Sequence, residues 1–215
     1  MSKIIKIGVT QRVDKAGSYN EWRDALDQRL IDWVVQSGFV PVPIPNTLVR
    51  VASPNNHQPV LENWLNTVKI DAILLSGGND LGDVEQRDLT EKYLLSWAEK
   101  NRNPALGICR GMQMMGIYAG GELIQVYGHV GLEHKLQDDD KPSDIFPEPV
   151  NSFHNQALQE CPENFKVLAK SEDGNLEAII HKELPWEAWM WHPERRESFL
   201  QSDLDRFKRL IKSVK

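Results

Sequence analysis

The chain has 215 residues and a formal net charge of −6, and it contains no basic block. Diffuse negative charge excludes a nucleic-acid surface, and no apolar stretch approaches the roughly 20 residues of a membrane span. Two cysteines, Cys109 and Cys161, exclude a disulfide framework and point to a reducing cytoplasm.

In chain order, Ile4 to Thr10 predicts a buried first strand. Its apolar run is short and broken by Lys6, unlike a signal peptide. Trp22, Leu26, Leu30, Trp33 and Val34 recur at helical spacing and predict a helix over Tyr19 to Ser37, capped by Gly38. Phe39 to Ile44 is a short strand, and Pro41, Pro43 and Pro45 make it an edge. Residues 46–57 are polar and loop-like, and Val60 to Val68 is a short helix. Asp71 to Ser76 is a buried strand stopped by Gly77 and Gly78. Leu89, Tyr93, Trp97 and Ala98 mark an amphipathic helix. Ala105 to Cys109 is the next strand, and Arg110 to Ala119 is its helix. A polar loop over Gln137 to Asp144 follows. Val150 to Phe153, Phe165 to Lys170, Leu176 to His181 and Trp186 to Trp191 predict short strands, with a turn at Gly174-Asn175. Leu200, Leu204, Phe207 and Ile211 give a final helix. The seven tryptophans occupy helical or strand positions that a core would use.

Strands alternating with helices predict an α/β fold, a mostly parallel open sheet with helices on both faces and a small antiparallel element in the second half. Residues 1–215 read as a single domain. Ligands bind such sheets beyond the carboxyl ends of the strands, which puts Gly77-Gly78 and Cys109 on one rim.

Cys109 stands where a strand turns into a helix, with Gly107 and Gly111 two residues to either side. This is the sulfur form of a nucleophile elbow. The helix points its N-terminal amides at the sulfur and favours thiolate over thiol. Trp191-His192-Pro193-Glu194 supplies a base and its orienter. Pro193 keeps His192 extended, and residues two apart in an extended segment share a face. Cys109, His192 and Glu194 therefore form a candidate catalytic triad.

The chain resembles the class I glutamine amidotransferase superfamily, which has a flavodoxin-like fold. The resemblance is carried by Leu75-Ser-Gly-Gly78-Asn-Asp80, Gly107-Ile-Cys109-Arg-Gly-Met-Gln113, Gly120-Gly121, Asn151-Ser-Phe-His154-Asn-Gln156 and Trp191-His192-Pro-Glu194, in that order. Met190 departs from the Gln often found before the last motif. It belongs to the strand interior and is not expected to abolish catalysis. Gln86-Arg87-Asp88 after Asp80, with Glu172-Asp-Gly174 and Leu176-Glu177-Ala178, looks like the γ-glutamyl hydrolase branch, peptidase family C26. That branch includes γ-glutamyl-γ-aminobutyrate hydrolases and hydrolases of γ-glutamyl-CDP-amidates in capsule biosynthesis. Thr10-Gln-Arg12 and Tyr19-Asn-Glu-Trp-Arg-Asp24 are closer to the nucleotide-amidate type.

The resemblance implies that Cys109 attacks a γ-glutamyl carbonyl, that His192 transfers protons and that Glu194 orients His192. It also implies an oxyanion hole from the backbone N–H groups of Gly78 and Arg110. Gln113, Ser152, Phe153 and His154 would bind the glutamyl group. It calls for no cofactor and no metal, and the spacings of His129, His134, His154 and His181 match no zinc signature. His134 reads as a solvated loop histidine, Cys161 as an incidental thiol, Asp138 to Asp140 as a solvated run, and Met112, Met114 and Met115 as helix packing. Lys135 and Lys141 would suit an anionic substrate. The expected activity is hydrolysis of a small-molecule γ-glutamyl amide through a glutamyl-thioester, with no nucleic-acid or membrane partner. The alternatives are a glutaminase subunit feeding ammonia to a synthase partner, and a catalytically silent binding module. Oligomeric state and the leaving amine are not readable.

Overall fold

The computed structural model describes residues 3–18, 20–49, 58–137, 146 and 149–213. Its strands are β1 (Lys6–Thr10), β2 (Arg12–Ala16), β3 (Glu21–Ala25), β4 (Val40–Ile44), β5 (Ala72–Leu75), β6 (Ala105–Ile108), β7 (Leu123–Gln125), β8 (Val130–His134), β9 (Leu136–Gln137), β10 (Val150–Phe153), β11 (Gln156–Leu158), β12 (Phe165–Ser171), β13 (Leu176–His181) and β14 (Trp186–Trp189). Its α-helices are α1 (Gln28–Gln36), α2 (Pro59–Val68), α3 (Glu85–Asn101), α4 (Arg110–Tyr118) and α5 (Gln201–Lys212).

An eight-stranded sheet runs β4-β1-β5-β6-β14-β13-β12-β9. The pairings from β4 through β14 are parallel, and those from β14 through β9 are antiparallel. This is the expected α/β architecture. β5 and β6 are buried at every position, as strands covered on both faces must be. Alternate residues of β14 reach the two faces. On one side Trp189 meets Trp33 of α1 edge-on at 6.2 Å, and Glu187 pairs with Arg206 of α5. On the other side Trp186 lies 6.1 Å from Tyr118 of α4. Trp33 also stacks on Phe207 at 4.6 Å, joining α1 to α5. Ile124, Val130 and Leu132, in contrast, stay exposed in the ribbons outside the sheet.

The edge position of β4 is as expected. Pro41 and Pro43 share one side of the strand, while the Val40 N–H faces inward and donates to the Ile5 carbonyl at 3.0 Å. The missing donors thus point away from β1 and block further strand addition.

The helix expected over Tyr19 to Ser37 is corrected. It begins only at Gln28, where the Asp27 side chain accepts from the Arg29 N–H at 2.9 Å, a capping signal. Upstream, β2 and β3 form an antiparallel hairpin. Tertiary bonds hold it extended: Asn79 Oδ1 accepts from Val13 N–H at 2.8 Å, and Asp24 accepts from Asn46 Nδ2 at 2.8 Å. Trp22 is consequently 62% exposed rather than in the core. Tyr19, residues 50–57 of the first polar loop and residues 138–144 of the second lie outside the described residues. The last strand stops at Trp189, and Met190 just beyond it is buried, its N–H donating to Glu177 O at 2.7 Å. β7, β8, β9 and β11 are additions to the sequence reading.

Asp203 in the first turn of α5 is buried, and neither of its carboxylate oxygens has a hydrogen-bond partner. Burial pushes its carboxyl up to about 7, against the pull of Arg196 and Arg206. The unfolded value is about 3.9, so ionisation costs the folded state stability as pH rises from that value through 7. Asp203→Asn is therefore expected to unfold at a higher temperature than the wild type. The advantage should be larger at pH 8 than at pH 5 and roughly 3 °C or more at pH 8. Thermal melts at both pH values check this, and an advantage that shrinks with pH would contradict it.

Candidate active site

The adjacent strands β5, β6 and β14 end on one rim, and each delivers part of the site there. After β6, Cys109 takes φ 51° and ψ −105°, a conformation costly for a residue with a side chain. Its N–H donates to Trp189 O at 2.7 Å, and its carbonyl accepts from Met112 N–H at 2.9 Å. The flanking glycines are required by main-chain contact. A Cβ on Gly107 would stand 2.6 Å from the Gly111 carbonyl carbon, and one on Gly111 would stand 2.3 Å from Leu75 O.

After β14, His192 and Glu194 are both buried, and His192 Nδ1 lies 2.7 Å from Glu194 Oε1. The other ring nitrogen is left for the Cys109 sulfur, with which His192 shares a hydrogen bond. Burial lowers the affinity of His192 for its proton. The Glu194 charge, the Cys109 charge and the hydrogen bonds to both outweigh this and push it up to about 9. A Cβ on Gly77 would come 2.6 Å from His192 Cε1, so the glycine makes room for the ring. Asn151 on β10 clamps the His192 main chain in both directions. Its Nδ2 donates to His192 O at 2.8 Å, and its Oδ1 accepts from His192 N–H at 2.9 Å.

After β5, Ser76 to Asn79 form the loop that carries Gly78, at φ 83°. The buried Arg87 gathers this loop. Its guanidinium donates to Ser76 O at 2.8 Å, to Gly77 O at 3.0 Å and to Gly78 O. With the carbonyls drawn toward Arg87, the peptide N–H groups face the opposite way. Arg87 in turn donates to Glu91 Oε1 at 3.1 Å. Glu91 also accepts from Thr10 Oγ1 at 2.8 Å and from the Arg110 side chain, which pairs with Asp88 as well. Arg110 is the first residue of α4, where the backbone N–H has no intrahelical acceptor. Both N–H groups expected to form an oxyanion hole thus belong to residues tied to Glu91.

The structure distributes the remaining expected residues unevenly. Gln113 is buried one turn beyond Cys109, and its Nε2 donates to Gln156 O at 2.9 Å. Phe153 is 41% exposed, lies edge-on to His192 at 5.9 Å and carries the Arg195 guanidinium 4.7 Å from its ring centre. The β10–β8 register shifts between Ser152 and Phe153, with Gly131 of β8 as the extra, unpaired residue. The Ser152 hydroxyl is turned inward and donates to His129 O at 2.6 Å. His154 departs from the expected role. Its ring is buried beside Glu177, His129 and His134, because His154 lies beyond the end of β10 and turns into the interior. His134 is likewise no solvated loop residue, since its Nε2 is buried. Arg87, Glu91 and the clamping role of Asn151, whose segment was expected to bind the glutamyl group, are additions to the sequence reading. Asn151 and Arg87 stand inside the quoted motifs, and Glu91 one helical turn after Arg87 was the available signal.

A family profile for glutamine amidotransferase class-I matches residues 27–204. A γ-glutamyl-CDP-amidate hydrolase of Campylobacter jejuni is 30% identical over 201 residues, covering 88% of this chain and 90% of that protein. A glutamine-hydrolysing GMP synthase subunit of Pyrococcus abyssi is 35% identical over 128 residues, covering 57% of this chain and 65% of that one. Among solved structures, a putative GMP synthase subunit of Thermoplasma acidophilum superposes with TM-score 0.69 at 21% identity, covering 99% of this chain and 96% of that one.

Two substitutions separate the roles of these groups. Glu91→Gln leaves two buried guanidiniums without their shared counter-charge and is expected to cost about 3–5 kcal/mol in urea denaturation. A loss within error of zero would remove Glu91 from its bracing role. The His192 charge stabilises the fold fully below about pH 6.5, and this is lost as pH rises through about 9. Glu194→Gln should therefore move the alkaline limit of activity from about 9 toward the ordinary histidine range, with a rate loss of about 10²–10⁴. An unmoved limb in the pH–rate profile would overturn that assignment.

Proposed function

The chain belongs to the glutamine amidotransferase class-I family, and from that footing we propose that it is a cysteine-dependent hydrolase of γ-glutamyl amides. We read residues 1–215 as one domain devoted to this reaction. The observation that carries the reading is the buried His192–Glu194 pair at 2.7 Å, facing a cysteine on a strained elbow.

In the reaction the Cys109 thiolate adds to the γ-carbonyl carbon, and the carbonyl oxygen becomes an oxyanion. The Gly78 and Arg110 N–H groups receive that charge, and losing one such donor costs about 10²–10³ in rate. The C–N bond breaks as His192 gives its proton to the departing nitrogen. Water then attacks the thioester and yields its proton to His192. The C–S bond breaks, glutamate leaves and the thiolate returns. Glu194 keeps the imidazolium oriented throughout. Gln113 and the main chain of Ser152 and Phe153 hold the glutamyl group.

The leaving group lies toward the β2–β3 hairpin. Arg12 packs against Gly78, and Lys15 stands 5.5 Å from the exposed Trp22 ring. A cation beside an exposed aromatic face suits an anionic leaving group with a planar ring. The Campylobacter relative, named a γ-glutamyl-CDP-amidate hydrolase, supports a nucleotide amidate. The Pyrococcus relative, named as part of a GMP synthase, favours a second reading, a glutaminase subunit that serves a synthase.

Assaying the purified chain alone separates these readings. The hydrolase reading expects turnover of a large γ-glutamyl amide well above that of glutamine, with Cys109→Ala inactive. Glutamine turnover that emerges only when a synthase is added would establish the second reading instead. Unchanged turnover in Cys109→Ala would overturn both.

A further inference from the structure

Three histidines and one carboxylate from separate segments converge beside the ribbon formed by β8 and β10. His129 precedes β8, His134 ends it, His154 follows β10 and Glu177 lies in β13. One candidate ligand atom from each residue lies within 4.8 Å of the other three. The ring centres of His129 and His134 are 4.3 Å apart, and those of His129 and His154 are 4.8 Å apart. His154 Nε2 is 3.4 Å from Glu177 Oε1, and His129 Nδ1 is 3.9 Å from it.

These groups are buried and unsatisfied at the atoms that face one another. His129 is 1% exposed, His154 3% and Glu177 0%. His129 Nδ1, His134 Nε2, His154 Nε2 and both Glu177 oxygens have no hydrogen-bond partner. Interiors rarely leave so many polar atoms unpaired in one place. The opposite nitrogens of His129 and His154 are engaged. His129 Nε2 lies 2.8 Å from Asp173 Oδ2, and His154 Nδ1 lies 3.1 Å from Gln156 O. Asp173 is itself held by Ser171 Oγ at 2.5 Å and Asn175 Nδ2 at 2.9 Å. An N–H given to a carboxylate or carbonyl leaves the lone pair on the other nitrogen, here aimed at the centre. Metal-bound histidines are oriented in this way.

We propose that His129, His134, His154 and Glu177 bind one divalent cation of the zinc class. Three imidazoles and a carboxylate without thiolate suit zinc, and three buried residues with the half-buried His134, whose Nε2 is itself buried, make a closed structural site. Zn–N bonds of about 2.0–2.1 Å require ligand atoms about 3.3 Å apart in a tetrahedron. The side-chain ends must therefore draw in by about 1 Å, within the reach of small χ rotations. The ion would fasten the β8–β10 ribbon to β13 and to the Asp173 turn. That ribbon carries Asn151, the clamp on His192. The proposed role is positioning, and no step of amide cleavage passes through the metal. The site stands independently of the hydrolase reading.

The test uses the full chain stripped with a chelator and titrated with Co²⁺ and then Zn²⁺. One equivalent should bind, with the visible absorption of four-coordinate Co²⁺, displaced by Zn²⁺, and Zn²⁺ should raise the melting temperature by several degrees. Glu177→Gln should abolish the absorption. Should that variant fail to fold, Asp173→Asn serves instead, since the Asp173 side chain is 54% exposed and can be changed without disturbing the core. It should weaken binding about 10–100-fold. Cys109→Ser should leave the spectrum unchanged. Absence of the cobalt band, a band that survives both ligand-side variants, or its loss in Cys109→Ser would overturn the proposal.

Discussion

The Glu91 carboxylate is the constraint on which the rim depends. It lies fully buried between the guanidiniums of Arg87 and Arg110, and Thr10 donates a third interaction. Burial opposes its charge, yet Arg110 and Arg87 outweigh burial and hold the carboxyl below its ordinary range. A charge so placed is stable only while both partners stay. Each partner in turn governs one turn of chain. Arg87 gathers the carbonyls of Ser76 to Gly78, and Arg110 opens the helix behind Cys109. One carboxylate therefore ties together the two loops whose amides form the proposed oxyanion hole. Preorganised donors are effective because they need not reorganise as charge develops.

The topology supplies the rest of the rim. Three consecutive parallel neighbours, β5, β6 and β14, end side by side and deliver the Gly78 loop, Cys109 and His192. Parallel neighbours leave no hairpin to block their ends, so the carboxyl edge stays open for a ligand. His192 has no regular ladder to hold it, because β14 stops at Trp189. Asn151 replaces the ladder with two hydrogen bonds to the His192 main chain. The antiparallel strands of the second half thus do more than extend the sheet. They bring the Asn151 clamp to His192.

Much of this was legible in the chain because the signals are local. The central strands are continuous apolar runs, and the elbow is written in glycines two residues from Cys109. The His192–Glu194 pair was legible too, but not by the extended geometry expected: His192 is extended, while Pro193–Arg195 form a 3₁₀ turn that brings Glu194 back to the ring. The β2–β3 hairpin was not legible, since Trp22 and Leu26 fit a helical period and only the distant Asn79 and Asn46 hold that segment extended. Period alone cannot choose between structures when tertiary bonds decide. Asp27 was the one local sign that the helix starts later, and its cap is a short-range signal. β7, β8 and β11 escaped because each is short and pairs outside the main sheet, where no long apolar run is needed.

The histidine cluster shows the same limit from the other side. Zinc signatures in sequence rely on ligands closely spaced on one turn or helix. Here His129 and His134 flank one strand, His154 follows another and Glu177 comes from a third. The pairing of β8 with β10 brings the three histidines together, and the contact of His154 with Glu177 joins them to β13. The fourth histidine considered with them, His181, is spent otherwise, accepting from the N–H groups of Glu183 and Leu184 at 3.0 and 2.9 Å. A search by spacing therefore admits a histidine that the fold uses in a turn and omits the carboxylate that completes the set. The proposed catalytic site lies at the ends of strands already adjacent in the sheet and is encoded in short motifs. A site assembled from a ribbon and a sheet strand is encoded in the pairing, and becomes visible only when unpaired buried atoms are found pointing at each other.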